Sequence, residues 1–339
     1  MTYSIRTLND VRDLLISIPG PDHDALAKAK EREPQLTKPP GSLGRLEEIS
    51  HWLASWQGRH PPQLKNPCAH VFAGNHGVTN NGVSAYPSEV TTQMVNNFHN
   101  GGAAINQLCK TFNISLKIDS LDLDRPTEDF TKRPAMSEQE TVLSINHGMK
   151  QVEKGMDILC LGEMGIGNTT SAAAICHAIF GGSASDWTGP GTGVGGEAIL
   201  IKSQVVAKGV KIHNCDDPLK VLMSLGGREL AAIVGAVLSA RLKKVPVLLD
   251  GYVCSSAVCI LESILPGALD HCIVGHVSSE PGHKYLLEHL DKKPLIDFEM
   301  RLGEASGAAL AVGLLQAAVA CHNGMATFEE AGVTDKEDK

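Results

Sequence analysis

The sequence Asp157-Ile158-Leu159-Cys160-Leu161-Gly162-Glu163-Met164-Gly165-Ile166-Gly167-Asn168-Thr169-Thr170 passes from an unbroken apolar run, through a glycine-rich turn, into an alanine-rich segment over 171–180. The run 157–161 lacks polar alternation after its first residue, the pattern of a strand buried on both faces. The segment 171–180 reads as a buried helix. Glu163 stands beside glycine at the mouth of that helix. The same order recurs over 294–322: a short apolar run, the polar turn Arg301-Leu302-Gly303-Glu304, and a long Ala/Leu-rich segment. Two acids at the mouths of buried helices are the first features to explain.

Working outward, short apolar runs alternate with helical stretches. Strands are expected at 69–73, 114–121, 157–161, 245–249, 271–274 and 295–298. Helices are expected at 89–108 (interrupted by Gly101-Gly102), 137–148, 171–180, 197–209, 217–223, 227–242, 255–264, 282–290 and 305–320. This predicts an α/β fold, a Rossmann-like and mostly parallel sheet with helices on both faces. Strand order is not readable from the pattern. Before the first strand the chain reads as helical. Leu8, Val11, Leu14 and Leu15 form one stripe, Asp22 or Asp24 is placed to cap a second helix, and Ser42 to cap a third. A small helical domain over 1–65, joined by residues 323–339, is expected beside a Rossmann-like domain over 66–322.

The 339 residues are 42% hydrophobic and 20% charged, the balance of a globular chain with a substantial core. Aromatic residues make up only 4%, so that core must be aliphatic. A formal net charge of -8, with scattered Lys and Arg, leaves no electrostatic footprint for nucleic acid. Nine cysteines show neither zinc nor redox spacing. Cys160, Cys176, Cys254, Cys259 and Cys272 lie in apolar runs, which predicts reduced, buried thiols in a cytoplasmic protein. No N-terminal stretch has the form of a signal peptide, and no membrane span is expected. The segment 305–320 comes nearest to one, but its glycines and the flanking Arg301 and Glu304 favour a core helix.

In a parallel sheet, ligands bind beyond the carboxyl ends of the strands. The unusual polar clusters all fall there: Asn75-His76-Gly77, Gly162-Glu163, Asp250-Gly251, His276 with Ser278 and Glu280, and Arg301 with Glu304. The turn from Gly165 to Thr170 opens a helix and has two open uses. Its free N–H groups can hold a phosphate, or Asn168 or Thr169 can cap the helix with no ligand. It matches neither the Gly-Lys-Ser/Thr nucleotide loop nor Gly-x-Gly-x-x-Gly. Gly191-Thr192-Gly193-Val194-Gly195-Gly196 is either a second phosphate nest or a bare flexible loop, and Lys202 is a candidate cation beside it. Glu163 and Glu304 are candidate general bases, because a carboxylate against apolar helices loses solvent and its pKa rises. The alternative is a capping or ion-paired role, with Arg301 as partner of Glu304. His70 lies inside a strand and reads as structural, whereas His76 and His276 lie in strand-end loops. A zinc site from His76, His276 and Glu280 has no local spacing behind it, and no metal is expected.

Lys38-Pro39-Pro40-Gly41-Ser42-Leu43-Gly44-Arg45-Leu46-Glu47, His76-Gly77-Val78, the stretch from Gly162 to Thr170, Leu249-Asp250-Gly251 and the stretch from Met300 to Leu310 resemble, in order, the nicotinate-nucleotide–dimethylbenzimidazole phosphoribosyltransferase family. The resemblance spans roughly residues 36–322. It implies transfer of the phosphoribosyl group of nicotinate mononucleotide to 5,6-dimethylbenzimidazole, giving alpha-ribazole 5'-phosphate and nicotinate in assembly of the cobalamin nucleotide loop. It further implies a homodimer, no cofactor and two small-molecule substrates, with 66–322 as the catalytic domain. Glu304 takes the position of the family's general base and Glu163 that of a second acid near the aromatic base. Gly165, Gly167, Asn168, Thr169, Gly191, Thr192, Gly193 and Lys202 are expected around the nucleotide's phosphate. His76, Tyr86, Met94, Asp250, His276, Ser278, Arg301 and Leu302 complete the expected substrate-binding set.

Four positions depart from the family pattern: Asn75 where Asp is usual, Gly195-Gly196 where many members carry acids, Met94 where a known form has Gln, and Ala305 where Gly is frequent. Two alternatives follow. One is a phosphoribosyltransferase acting on adenine, another benzimidazole or a phenolic acceptor. The other is a non-catalytic protein that binds a nucleotide or base.

Overall fold

The short apolar runs form five strands: β1 (Pro67–Ala73), β2 (Ser115–Ser120), β3 (Ile158–Met164), β4 (Val247–Leu249) and β5 (Cys272–Val274). The structure, a computed structural model, describes residues 4–191 and 193–334. Every neighbouring pair is parallel, in the order β2-β1-β3-β4-β5. The chain steps one way from β1 to β2 and the other way to β3. The connections leaving β1 and β3 therefore run to opposite faces of the sheet, Ala104–Phe112 to one and Asn168–Phe180 to the other, which marks the place where open α/β sheets bind ligands.

Side chains along a strand point alternately to opposite faces, and here they divide between two cores. Phe72, Leu159, Leu161, Val247, Leu249 and Val274 pack with the helices Glu138–Gln151, Asn168–Phe180, Arg228–Lys243 and Tyr252–Ile264. Ala69, Val71, Ile158, Cys160 and Leu248 pack on the other face with Arg45–Gln57, Ala104–Phe112 and Ser306–Gly324. Both faces are covered, so the strands can be apolar throughout.

The N-terminal segments do not all stay together. Leu8, Val11 and Leu15, on Leu8–Ile16, join the first core. Asp22 caps His23–Arg32, accepting from the Ala25 N–H at 3.0 Å. Leu36 bridges to Thr327, and Arg32 donates to the His322 and Met325 carbonyls, which ties this region to the chain's end.

Three expectations need correction. β3 continues through Gly162 and Glu163 to Met164, so Glu163 is a strand residue, in register with Phe72 of β1, and not part of a turn. The stretch 295–298 forms no sixth strand. It makes one parallel bridge, Ile296 to His276, before Glu299 turns at φ 56°. Ser42 does not cap the third helix. Gly44 occupies that position, and Glu47 Oε1 accepts from the Leu43 N–H at 3.0 Å. The core-helix expectation for 305–320 holds, although Ser306–Gly324, with 19 residues, is long and apolar enough to cross a membrane by length and composition. Ala308, Ala309, Ala311, Val312, Leu315 and Ala318 on it are buried against the sheet and its neighbours, as in a core helix.

Candidate active site

Glu163 lies near the end of β3, and the turn that starts Ser306–Gly324 folds against it. The Glu304 N–H donates to the Glu163 carbonyl at 3.1 Å. Such an approach needs a small residue on the strand, because a Cβ on Gly162 would stand 2.0 Å from the Ala305 nitrogen. Glu304 and Ala305 both adopt left-handed backbone, φ 63° and 62°. For non-glycine residues that conformation costs about 1–2 kcal/mol each, and the contacts around the turn offset it. The Asp250 carboxylate, just beyond β4, holds the same turn. Its Oδ1 accepts from the Gly307 and Ala308 N–H groups at 2.7 and 3.0 Å and satisfies the start of the long helix.

These three acids sit in surroundings that disfavour charge. Glu163 is 8% exposed and Glu304 4%. Burial, then the negative charges of Asp250 and Glu229, push the Glu163 carboxyl well above the usual carboxylate range. Burial, then Asp250, push Glu304 up to about 7. Burial also raises Asp250. The Asn168 side-chain amide donates to Glu163 Oε2. Glu304 Oε2 has no hydrogen-bond partner. Arg301 does not pair with Glu304; it donates instead to the Gly191 carbonyl at 3.0 Å. The ion-paired reading of Glu304 therefore fails.

A second polar group lies at the far side of the same cleft. Lys202, 1% exposed, donates to Thr169 Oγ1 at 2.8 Å and to the Gly189 carbonyl at 3.0 Å. Burial lowers its pKa to about 8. Glu280 Oε1 accepts from the Gly191 N–H at 2.8 Å, which anchors the glycine-rich loop. No side chain caps Asn168–Phe180. The capping role considered for Asn168 and Thr169 is absent, and the N-terminal end of that helix faces the cleft between Glu163 and Lys202. A helix start beside a buried ammonium group suits an anion.

Known proteins resemble this chain over nearly its whole length. A family profile described as phosphoribosyltransferase covers residues 18–333. The nicotinate-nucleotide–dimethylbenzimidazole phosphoribosyltransferase of Rhizobium meliloti (strain 1021) is 55% identical over 99% of this chain and 100% of its own length. That of Rhizobium leguminosarum bv. trifolii (strain WSM2304) is 54% identical over the same shares. The chain belongs to the nicotinate-nucleotide–dimethylbenzimidazole phosphoribosyltransferase family. Among solved structures, CobT from Thermus thermophilus superposes with a TM-score of 0.85 at 40% identity, covering 92% of this chain and 99% of that one.

Of the residues expected from the family resemblance, Glu163, Gly165, Asn168, Thr169, Gly191, His276, Ser278, Arg301 and Leu302 line the cleft. Glu304 sits directly behind Gly303, which is itself in the wall. Lys202 stands behind Thr169. Asp250 is occupied by the helix start. His76 is not in the wall. It is buried, with Nε2 bonded to Glu229 Oε1 and Nδ1 3.0 Å from Ser171 Oγ. Gly167 precedes the helix at φ 95° and is not in the wall either. Tyr86 is 52% exposed in the loop before Glu89–His99, and Met94 on that helix packs against the second core. Gly193 and Val194 both donate to the Pro190 carbonyl, at 3.0 and 2.9 Å, and Thr192 lies outside the described residues.

The structure does not gather His76, His276 and Glu280 as ligands; His276 instead stands 3.5 Å from Asp250 Oδ1. Glu280, placed by the sequence in a strand-end cluster but not in the substrate-binding set, lines the cleft, as do Ile166, Tyr252 and Val253, which the sequence did not single out for binding. An acid after a strand end was the available signal for Glu280, the same signal that picked out Glu163. The departure at Asn75 has a structural use. Its side-chain amide donates to the Leu123 carbonyl at 3.0 Å, a bond an ionised Asp cannot donate.

Proposed function

We propose that this chain transfers the phosphoribosyl group of nicotinate mononucleotide to 5,6-dimethylbenzimidazole, releasing nicotinate and forming alpha-ribazole 5'-phosphate. The observation that carries the proposal is Glu304: a buried carboxyl with one unpartnered oxygen, raised to about 7, at the carboxyl edge of the sheet. A base with a pKa near the working pH combines availability with proton affinity.

The nicotinate ring of the donor is cationic, so its bond to ribose C1 breaks readily as the ring takes back the electron pair. The lone pair of one nitrogen of the aromatic base attacks C1 from the opposite face. Glu304 accepts the proton carried by the other ring nitrogen. Attack opposite the leaving group converts the beta anomer to the alpha anomer. Burial and the neighbouring acids raise Glu163 as well, which disfavours both carboxyls ionising together. The helix start at Asn168, with Lys202, receives the phosphate. Ile166 and Val253 offer apolar surface for the ring. Holding both reactants in line supplies much of the rate.

The nine free cysteines suit a reducing, cytoplasmic setting. The active unit is a homodimer, for which sedimentation should give a particle of two chains. The links from Leu36 and Arg32 to the chain's end support the joining of 323–339 to the helical unit 1–65 beside the catalytic unit 66–322, although the first helix, Leu8–Ile16, packs with the catalytic core.

Mass-resolved chromatography tests the reaction. Purified protein is given nicotinate mononucleotide with equimolar dimethylbenzimidazole, benzimidazole, adenine and cresol. Ribazole phosphate and nicotinate in equal amounts are expected. Preference for another acceptor would keep the mechanism and change the substrate. Binding of the nucleotide without turnover would overturn the proposal in favour of a binding protein.

A further inference from the structure

At the end of Ser306–Gly324 remote from Glu304, imidazoles and carboxylates from separate segments crowd together. Glu33 follows His23–Arg32, His51 lies on Arg45–Gln57, and His322 lies in the last turn of Ser306–Gly324. His322 Nδ1 stands 2.7 Å from Glu33 Oε2, and His51 Nε2 stands 3.5 Å from the same oxygen. The three ligand-type atoms all lie within 4.8 Å of one another. The His322, Glu33 and His51 side chains are 1%, 9% and 19% exposed.

Two further contacts prepare this group. Lys38 Nζ takes the other oxygen of Glu33 at 3.0 Å and Glu47 Oε1 at 2.7 Å, which leaves Glu33 Oε2 to the imidazoles. His60 Nε2 lies 3.1 Å from His322 Nε2 and fixes the ring from behind. Hydrogen bonding alone accounts for His322 but not for His51, whose buried Nε2 makes no hydrogen bond. A buried polar atom without a partner calls for an explanation.

Two imidazole nitrogens and one carboxylate oxygen form a ligand set for zinc, at about 2.0–2.2 Å from the ion. Tetrahedral bonds of that length put ligand atoms roughly 3.3 Å apart, close to the 3.5 Å between His51 and Glu33, while the 2.7 Å hydrogen bond between His322 and Glu33 has to open to admit the ion. We propose that Glu33 Oε2, His51 Nε2 and His322 Nδ1 hold a divalent ion of the zinc class, with water as the fourth ligand. Neutral His322 then carries its single ring proton on Nε2, donated to His60, and turns the Nδ1 lone pair to the ion. Metal-bound histidine usually donates its other ring N–H to a neighbour in this way. The ion pins the end of the helix that begins beside Glu304 to the N-terminal helices.

The test uses the full chain, stripped with a chelator. Zn2+ is titrated against a chromogenic chelator, and Co2+ is followed by visible absorption. One ion per chain is expected, with a nitrogen/oxygen cobalt spectrum and a Tm that rises with Zn2+. His51→Ala should lose at least tenfold in affinity and most of the Tm rise with Zn2+ measured from its own metal-free Tm, which truncation of a largely buried ring also lowers. His322→Ala should also lose binding, and the exposed His99→Ala should leave it unchanged. Absence of Zn2+ binding at micromolar concentration, equal affinity in His51→Ala, or a thiolate–cobalt band from one of the cysteines would each overturn the site.

Discussion

Glu304 joins function and stability in one carboxyl group. Its folded pKa, about 7, lies above the ordinary carboxyl value of 4.5. The folded state therefore holds a proton that the unfolded chain has already released. Stability falls as pH rises from the lower value to the higher, and the full loss persists above it. Glu304→Gln removes this penalty. Its Tm should exceed that of the wild type at about pH 8, and the gap should close toward about pH 4.5; calorimetry at the two values checks the sign. Lys202 makes a separate claim. It donates to Thr169 and the Gly189 carbonyl at the helix start assigned to the phosphate. Lys202→Met should raise KM for nicotinate mononucleotide by about tenfold to a hundredfold, the worth of one charged hydrogen bond, with a smaller change in kcat. Steady-state kinetics separates the two. Both residues were legible in sequence by charge type and position. Their environments were not, because burial by helices distant in sequence sets them.

At the scale of elements, the decisive unit is the long helix with the turn before it. Asp250 accepts from its first N–H groups and is also the negative charge that helps raise Glu304. The two roles separate by substitution. Asp250→Ala loses the cap and leaves buried N–H groups unpaired, for a cost of about 2 kcal/mol or more, readable in denaturant unfolding. Asp250→Asn keeps an acceptor but removes the charge, so the Glu304 pKa should fall and the acid limb of the activity profile move to lower pH. The helix was legible because its alanine and leucine run is long and begins at a polar turn. Asp250 as its cap was not, since the two segments are remote in the chain. β3 was legible as an apolar run only as far as Leu161. Its extension to Glu163 comes from pairing with β1, which places an acid where local pattern reads as a turn.

At the scale of the molecule, alternating strands and helices were enough to give a parallel sheet covered on both faces. The strand order was not encoded locally, because it depends on which way each crossover turns. That order sends the connections of β1 and β3 to opposite faces, and a buried pair ties down the end of β1 beside the cleft. His76, beyond β1, bonds Glu229, at the start of Arg228–Lys243, while Ser171 meets the other ring nitrogen. His76→Ala would strand Glu229, whose side chain is 0% exposed. The expected cost is about 3–5 kcal/mol, measurable by denaturant midpoint. A strand-end histidine suggested ligand contact, and the fold uses it to tie the end of β1 to two helices on one face of the sheet.

The most direct test of the account is the pH profile of kcat/KM for dimethylbenzimidazole, from about pH 5 to about pH 9, in the wild type and Glu304→Gln. The account predicts that the wild-type value climbs through about pH 7 as Glu304 ionises, and that the variant is lower by about 10²–10⁴-fold without that limb. A wild-type profile flat across this range, or a variant that keeps both rate and limb, would contradict Glu304 as the base.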